Sequence, residues 1–373
     1  MQHDQGFNSP GLWALAWRRL RRDKIAMLAL AIVGAFLLML VLSMSGLIVA
    51  DWEDEVGVSY APPTFTFGAQ AVPGAGPVQL ERAPATPVNL LDPLADDIRQ
   101  LQAELGRASA PGAELDMAGV IDPLAQELIE LRAEPGMGAT QGKRPDKLAT
   151  LPFGADKWGH DVLKKTIKGA ETSIVVGLVA ALLAVGLGTL FGAFSGYFGG
   201  RIDDFFNWFY SIFTSIPSIL MILTVAAVLQ QKGVLTIVLI LGLTGWTGPY
   251  RLIRAEYIKH KAREYVMAAD AIGASHWRKM FSHIFPNVSH VALVQLSILV
   301  VGFIKAEVIL SFLGFGVPVG VVSWGSMLNE AQNELILGKW WQLSAAAIAM
   351  ALLVTAFSVF TDALRDALDP KVK

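Results

Sequence analysis

The sequence predicts an all-α integral membrane protein with six transmembrane helices. Of its 373 residues 53% are hydrophobic and only 17% are charged, whereas charged residues make up about a quarter of an ordinary soluble domain. Long apolar segments recur, each near the roughly 20 residues that a helix needs to cross the hydrocarbon layer of a bilayer. Lysine and arginine are concentrated beside alternate segment ends, as expected for cytoplasmic loops.

The predicted spans differ in length and regularity. The first is too long for the apolar core of a cleaved signal peptide, which has about 7–15 residues, and the fourth is the shortest. Pro217 is expected to break or kink the third span, because proline lacks an N–H group and crowds the preceding turn. The six spans cover about 25–50, 172–198, 205–229, 234–250, 288–312 and 342–360.

The orientation of the chain follows from its basic residues. The stretch "WRRLRRDK" places five of them just before the first span, which predicts a cytoplasmic N-terminus. Alternation then makes 51–171 external and 251–287 cytoplasmic, with a cytoplasmic C-terminus. A protein that binds nucleic acid needs a basic surface. The net charge of −2 therefore predicts that this chain has no nucleic-acid partner.

Four regions follow from these spans. Residues 1–24 are a cytoplasmic N-terminal segment, 25–50 the first transmembrane helix, 51–168 an external insert, and 169–373 a core with the other five spans. The insert contains a repeat, "DPLADDIRQLQAE" and "DPLAQELIELRAE".

The repeat predicts two short amphipathic helices, 92–107 and 122–134. Aspartate followed by proline is a good helix start, and leucine or isoleucine recurs on one narrow stripe in each copy. The two helices are expected to pack against each other or onto the membrane part. The alternative is a flexible acidic loop in which helices form only transiently.

Two features inside the spans suggest functional roles. Gly188, Gly192 and Gly196, with Gly200 after them, share one helix face where another helix can approach closely, although glycine is common in membrane helices. Lys305 and Glu307 in the fifth span are possible pathway or gate residues. The alternative is that this span ends early and that both side chains meet water or headgroups.

Several catalytic patterns are absent from the sequence. It has no cysteine, no G-x-x-x-x-G-K-[ST] phosphate loop, no G-x-S-x-G and no H-E-x-x-H. The histidines show no ligand spacing with carboxylates. We therefore predict no catalytic residue, no metal site and no cofactor bound by this chain.

The predicted cytoplasmic loop 251–287 contains "EYVMAADAIGASHWRKMFSHIFPN". Its pattern predicts two short helices at an angle, separated by Gly273 and closed by Pro286 before the fifth span. One interpretation is a basic helix pair resting on anionic lipid. The other is a knob that enters the groove of a soluble partner.

This loop resembles the cytoplasmic EAA loop of ATP-binding cassette (ABC) importer permeases, most closely the dipeptide, oligopeptide and nickel branch. Met267 stands where the wider family has glutamate, and Ala268, Ala269, Gly273 and Pro286 match. Three other stretches resemble that branch: "LPFGADKWGHDVLKKTIKGAETSIVVGL", "LSFLGFGVP" with "SWGSMLNEA" after it, and "DALRDALDPK". The resemblance covers 1–50 and about 150–373, and not the repeat.

The resemblance implies a type I ABC importer permease fold in a prokaryotic cytoplasmic (inner) membrane. The chain would be the second-permease type, forming a heterodimer with a homologous permease. Its other partners would be two ABC ATPases, which hold ATP and Mg, and an extracytoplasmic substrate-binding protein. The residues implied to couple to the ATPases are Glu264, Met267, Ala268, Ala269, Asp270, Gly273, Ala274 and Pro286.

The resemblance also limits what is expected of function. Phosphoryl chemistry would take place in the ATPases, so this chain is not expected to be an enzyme. Peptides are the expected cargo, although nickel permeases share the motifs. The rival interpretations are an ion-coupled secondary transporter and a non-transporting membrane scaffold.

Overall fold

The computed structural model describes residues 17–66, 147–318 and 320–368, and these are mainly helical. Apart from helices, the described residues contain four isolated β-bridges. The predicted amphipathic helices 92–107 and 122–134 lie outside the described residues, so their existence stays a prediction.

The described residues form ten α-helices and one π-helical segment. The π-helical segment, Arg278–Ile284, leads directly into the eighth α-helix. In chain order the helices are α1 (Lys24–Met44), α2 (Val162–Phe198), α3 (Gly200–Thr214), α4 (Ser218–Leu229), α5 (Val234–Thr244), α6 (Thr247–Lys261), α7 (Glu264–Ala271), α8 (Phe285–Phe312), α9 (Trp324–Ile336) and α10 (Trp341–Leu368).

Four of these helices are long and apolar enough to cross a membrane: α1, α2, α8 together with its π-helical lead-in, and α10. The pair α3 and α4 supplies a fifth candidate span if it is counted as one, although its two halves are bent by 82°. The break lies where Pro217 was expected to interrupt the third span. The count of six spans therefore remains a prediction.

Helix α2 is the central element, and it begins ten residues earlier than predicted. Asp161 caps its first turn by accepting a hydrogen bond from the Leu163 N–H at 2.8 Å. With 37 residues it is about 55 Å long at 1.5 Å per residue. The sequence did not predict this earlier start, because the segment carries charged side chains. In the fold these side chains are paired, as Lys168 is with Glu171 at 2.9 Å. The predicted boundary at 168 therefore falls inside this helix.

The predicted fourth span is divided between α5 and α6, with the break at Gly245 and Trp246. Both pieces run parallel to α2, since a Cβ on Gly242 would touch Leu183 and Tyr257 lies beside Gly196. Helix α6 continues to Lys261, so the first part of the predicted cytoplasmic loop 251–287 is a helix packed along α2.

The prediction that Pro286 ends a second loop helix was wrong. The π-helical segment continues into α8, and Pro286 lies in the first turn of that helix. Pro286 follows a π-helical stretch, and such a stretch already interrupts the i→i−4 hydrogen-bond ladder that a proline would break. The segment and α8 therefore form one continuous helix, Arg278–Phe312.

The remaining helices pack around α2. Helix α1 packs on α10, and α9 packs between α8 and α10. The side chains of Trp246 and Trp324 are fully buried in this core. Residues 51–66 and 147–161 join each other through bridges such as Gly57 with Leu148.

Candidate functional site

The chain between α6 and α8 forms a compact elbow, residues 262–277, built around the two-turn helix α7. Gly273 has a φ of +77°, which costs glycine little and other residues more. Its N–H donates to the Asp270 carbonyl at 2.9 Å, and the Ala274 N–H donates to the Ala269 carbonyl at 3.0 Å. This pair of bonds is a Schellman motif, which ends a helix with its last carbonyls satisfied.

One face of α7 is buried against the rest of the chain. Val266 joins a hydrophobic cluster with Tyr257, Met280 and Ile284, which come from α6 and the π-helical segment. Ala269 is also buried. A small side chain on this face lets α7 lie close to the membrane helices.

The opposite face of the elbow is exposed and apolar. Ile272 is 84% exposed and Met267 56% exposed, and Ala268 is exposed beside them. Trp277, after the turn, is also exposed, and its ring packs edge-on against Phe194 of α2. We call Met267, Ala268, Ile272 and Trp277 the elbow face. Exposed large apolar side chains that cluster are typical of interaction surfaces.

Polar contacts tie the elbow to α2 and to the segment that leads into α8. The Lys279 ammonium pairs with the Asp270 carboxylate, and this hydrogen bond holds the pKa of Asp270 below its usual range. The Tyr197 hydroxyl bonds to Nδ1 of His276 at 2.9 Å. Both contacts hold the second half of the elbow, one to the segment before α8 and the other to α2.

The predicted coupling residues do not all share one surface. Ala269 faces inward, Ala274 is half-buried, and Pro286 lies outside the elbow in the first turn of α8. The exposed members on the elbow are Glu264, Met267, Ala268, Asp270 and Gly273. The sequence resemblance did not single out Ile272, whose exposure appears only once α7 is packed.

The glycines of α2 lie against the backbone of α6. A Cβ on Gly192 would lie 2.8 Å from the Tyr250 carbonyl oxygen, and one on Gly196 would lie 2.6 Å from the Arg254 carbonyl oxygen. A Cβ on Gly188 would lie 2.6 Å from the carbonyl oxygen of the residue that caps the start of α6. No side chain fits at such distances, so the two helices touch through their backbones. Gly200 does not take part, because α2 ends at Phe198 and a Cβ on Gly200 would meet nothing within 4 Å.

An ion pair joins α6 to α3 beside this contact. The Arg254 guanidinium donates to both carboxylate oxygens of Asp203, at 2.6 and 2.7 Å. Bidentate pairs of this kind hold a defined geometry as well as contributing attraction. Ser195 of α2 bonds to the Tyr250 hydroxyl at 3.0 Å, so α2, α3 and α6 form one connected unit.

Lys305 and Glu307 lie on different faces of α8. Glu307 is fully buried and accepts hydrogen bonds from Ser173 at 2.6 Å and Ser311 at 2.7 Å. Lys305 is exposed on the surface of this chain. The alternative that both side chains meet water or headgroups is therefore wrong for Glu307, because α8 continues to Phe312.

A buried charged cluster, which sequence reasoning missed, joins four separate segments. Lys165 of α2 donates to Asp156 at 2.8 Å, to Glu330 of α9 at 2.6 Å and to Gln342 of α10 at 3.5 Å. Lys165 and Gln342 are 177 residues apart, so no local spacing predicts the cluster. The one signal was a pair of acids four residues apart on α9.

Glu334 is the second of these acids, and it is 2% exposed. Neither of its carboxylate oxygens has a hydrogen-bond partner within the described residues. Burial raises the pKa of Glu334 to about 7, and the nearby Lys165 ammonium offsets only part of that effect.

The described residues contain no group of three or more histidine, aspartate or glutamate side chains arranged to hold a metal ion. The elbow combines an exposed apolar face with contacts to α2 and to the segment that leads into α8. Fold and site together define an integral membrane protein with an exposed apolar elbow.

Comparison with known proteins specifies this class. The family model described as the binding-protein-dependent transport system inner membrane component matches residues 188–373. The model for the N-terminal TM domain of oligopeptide transport permease C matches residues 11–63.

Curated relatives agree with both models. The dipeptide transport system permease protein DppC of Bacillus subtilis is 37% identical over 221 residues, 59% of this chain and 69% of the relative. The oligopeptide permease OppC of the same organism is 37% identical over 59% of this chain and 72% of its own length. OppC of Salmonella typhimurium is 38% identical over 61% and 74%. The chain belongs to the family of binding-protein-dependent transport system inner membrane components.

Proposed function

We propose that this chain is one permease subunit of an ATP-driven, binding-protein-dependent importer of peptides. The relatives named as dipeptide and oligopeptide permeases support peptides as the cargo. In this proposal the chain pairs with a homologous, non-identical permease, and the two subunits enclose the translocation path. An extracytoplasmic substrate-binding protein delivers the peptide.

The elbow face is the observation that carries the proposal. Two large apolar side chains, Met267 on α7 and Ile272 at its C-terminal cap, are exposed, while the other face of this helix is buried. A helix of this kind fits a hydrophobic groove on a soluble partner. We assign that groove to one of two cytoplasmic ATPases.

The proposed mechanism is mechanical. ATP and Mg are bound in the ATPase subunits, and this chain contributes no catalytic group. When the ATPases close, they displace the elbow, and its ties move the helices with it: the Asp270–Lys279 pair reaches the α8 axis and the Tyr197–His276 bond reaches α2. If α7 moved independently of the membrane helices, its displacement would not reach them. Because α7 is connected to them, they move with it.

The proposal includes six spans, with α3 and α4 as the third and α5 and α6 as the fourth. It is supported by the parallel course of α5, α6 and α2, since spans two and four of an alternating chain run in the same direction. Both termini and the elbow then lie in the cytoplasm. Exposed Lys305 faces the path or the second permease, whereas Glu307 supports the fold.

The test compares two substitutions of matched chemistry and exposure. Ile272 in the elbow is 84% exposed and Ile336 at the end of α9 is 83% exposed. We expect Ile272→Glu to lower ATP-driven peptide uptake into proteoliposomes at least tenfold and to remove the ATPases from the purified complex, because a charge enters an apolar groove. Ile336→Glu should leave ATPase co-purification unchanged.

Full ATPase co-purification and uptake with Ile272→Glu would contradict the docking proposal. Peptide flux through this chain without any ATPase would favour an ion-coupled transporter. A complex that lacks ATPases in the parent protein would favour a scaffold.

A further inference from the structure

The described part of the chain contains a pocket, outside the elbow, that is lined in part by four polar side chains. It has a volume of about 240 Å³ and lies between α3, α6 and α8. The volume is several times the roughly 30 Å³ share of one water molecule and below the 300 Å³ or more of a pocket for a whole drug-sized ligand. It therefore suits the end group of a longer molecule. Its lining residues are Tyr210, Thr247, Gly248, Arg251, Leu252 and Gln295.

Arg251 is the only cationic side chain that lines this pocket. Within the described residues it has no ion pair, whereas Arg254 one turn later is fully engaged by Asp203. The nearest acid along α6, Glu256, pairs with Lys259 at 2.9 Å. The positive charge of Arg251 is therefore left for a ligand.

The other polar side chains of the pocket also carry hydrogen-bond donors that have no acceptor among the described residues. The Tyr210 hydroxyl, the Thr247 hydroxyl and the Gln295 carboxamide have no hydrogen bond to another side chain or to the backbone of the described residues. Gln295 lies close to α6, since a Cβ on Gly248 would be 3.7 Å from its side-chain oxygen. A guanidinium, two hydroxyls and an amide together match a carboxylate, which accepts hydrogen bonds and donates none.

The pocket lies within the length of the helices and not at their ends. Gln295 is ten residues into α8, about 15 Å at 1.5 Å per residue. Arg251 follows Tyr250, whose carbonyl faces Gly192, six residues and about 9 Å before the end of α2. Arg251 is exposed on this chain, and α2, about 55 Å long, exceeds the roughly 30 Å hydrocarbon layer. In the proposed orientation the pocket therefore lies toward the cytoplasmic end of the spans.

We propose that Arg251, with Tyr210 and Gln295, forms a subsite that binds the C-terminal carboxylate of the peptide on its way to the cytoplasm. The inference rests on the proposed function, because every unmodified peptide carries this carboxylate. Arginine binds it through two parallel N–H donors, which lysine cannot do. The subsite favours peptides with a free carboxyl end over those that lack the negative charge.

The test uses the whole transporter in proteoliposomes, with a peptide that the solute-binding protein holds both as the acid and as the C-terminal amide. The readout is the ratio of ATP-driven uptake of the acid to that of the amide, in the parent and in Arg251→Gln. We expect that ratio to fall about tenfold in the variant, as for loss of one charge-assisted contact, with uptake of the amide within twofold of the parent. Arg251→Lys should give an intermediate ratio.

The matched control is Lys259→Gln, which removes one positive charge from the same helix outside the pocket. It should leave the ratio unchanged. An unchanged ratio in Arg251→Gln, or an equal loss for acid and amide, would overturn the subsite while leaving the proposed function intact. Loss of the second permease from the Arg251→Gln complex would identify Arg251 as a subunit contact and would also overturn it. A parent complex without ATP-driven uptake of either peptide would overturn the proposed function, and the subsite with it.

Discussion

Single residues show how this fold accommodates charge away from water. Glu307 is enclosed by Ser173 and Ser311, whose hydroxyls satisfy one carboxylate oxygen each. Lys165 is satisfied by Asp156, Glu330 and the Gln342 side chain. Unpaired buried groups of this kind cost several kcal/mol, and the polar partners at both sites offset part of that cost. Glu334 differs, because neither of its oxygens has a partner in the described residues.

The raised pKa of Glu334 predicts a pH-dependent stability. Its folded pKa is about 7 and the value for an ordinary glutamate is about 4.3, so between these values the folded protein binds more protons than the unfolded one. Stability should therefore rise as the pH falls from 8 to 5, because protonation removes the cost of a buried charge. The groups facing Glu334 are Asp156, Lys157, Lys165 and Glu330.

The measurement is the midpoint of thermal unfolding of the purified complex at pH 8, 7, 6 and 5, for the parent and for Glu334→Gln. Every other titrating group is common to both proteins, so their difference isolates Glu334. The variant should be the more stable at pH 8, and the gap should close toward pH 5. Burial opposes the charged form of Asp156, but attraction to the Lys165 ammonium, together with hydrogen bonds from Lys165 and His160, outweighs it and lowers the pKa of Asp156. Asp156 therefore titrates below the four pH values of this experiment. A constant difference across the four pH values would show that Glu334 does not titrate there.

Elements in this protein are joined by close backbone contact. The three α2 glycines let α6 approach so closely that carbonyl oxygens occupy the space of a side chain. The Arg254–Asp203 pair then adds α3 to the same unit. The elbow continues from α6, so the motion proposed for it would reach α2 through this contact.

A substitution in the glycine face of α2 should separate the two helices. A Cβ at position 192 would lie 2.8 Å from the Tyr250 carbonyl oxygen and 3.0 Å from the Arg254 nitrogen, both of which are backbone atoms that cannot turn aside. We expect Gly192→Ala to destabilise the complex by about 1–3 kcal/mol, as overpacking typically does, and to lower ATP-driven uptake. Thermal unfolding and uptake are the measurements.

The control for this prediction lies on the same helix. A Cβ on Gly186 would meet nothing within 4 Å, so Gly186→Ala should be neutral or stabilising by about 0.5–1 kcal/mol from helix propensity alone. Equal effects of the two substitutions would mean that the contact with α6 is not responsible.

At the scale of the whole molecule, the long segment between α1 and α2 contains the repeat that the family resemblance does not cover. Its described flanks are joined to each other, since the Val58 N–H donates to the Leu148 carbonyl at 3.0 Å and the Thr64 N–H donates to the Leu151 carbonyl at 3.0 Å. The predicted helices 92–107 and 122–134 lie between these flanks, outside the described residues.

Our hypothesis is that the segment contacts the solute-binding protein or caps the external gate. Deletion of 85–140 should then reduce uptake several-fold while the permeases and ATPases still assemble, because the joined flanks hold the chain ends together. Uptake into proteoliposomes and composition of the purified complex are the readouts. Uptake equal to that of the parent would remove both roles.

Composition and local spacing were enough to predict a helical membrane protein, the break at Pro217, the turn at Gly273 and the resemblance to importer permeases. These features depend on neighbours along the chain: apolar length, a missing N–H and a positive φ. Three features were not predictable: the start of α2, the division of the fourth span, and the continuation of the helix through Pro286 into α8. Charged and helix-breaking residues usually end a helix, but they can lie within one when their side chains are paired or packed.

Only the tertiary structure decided which faces are buried. It turned Ala269 inward and Ile272 outward, enclosed Glu307, joined Lys165 to α9 and α10, and left Arg251 beside a pocket that no acid lines. Each of these outcomes depends on residues far apart in sequence, whose distances are determined by helix packing and not by local pattern.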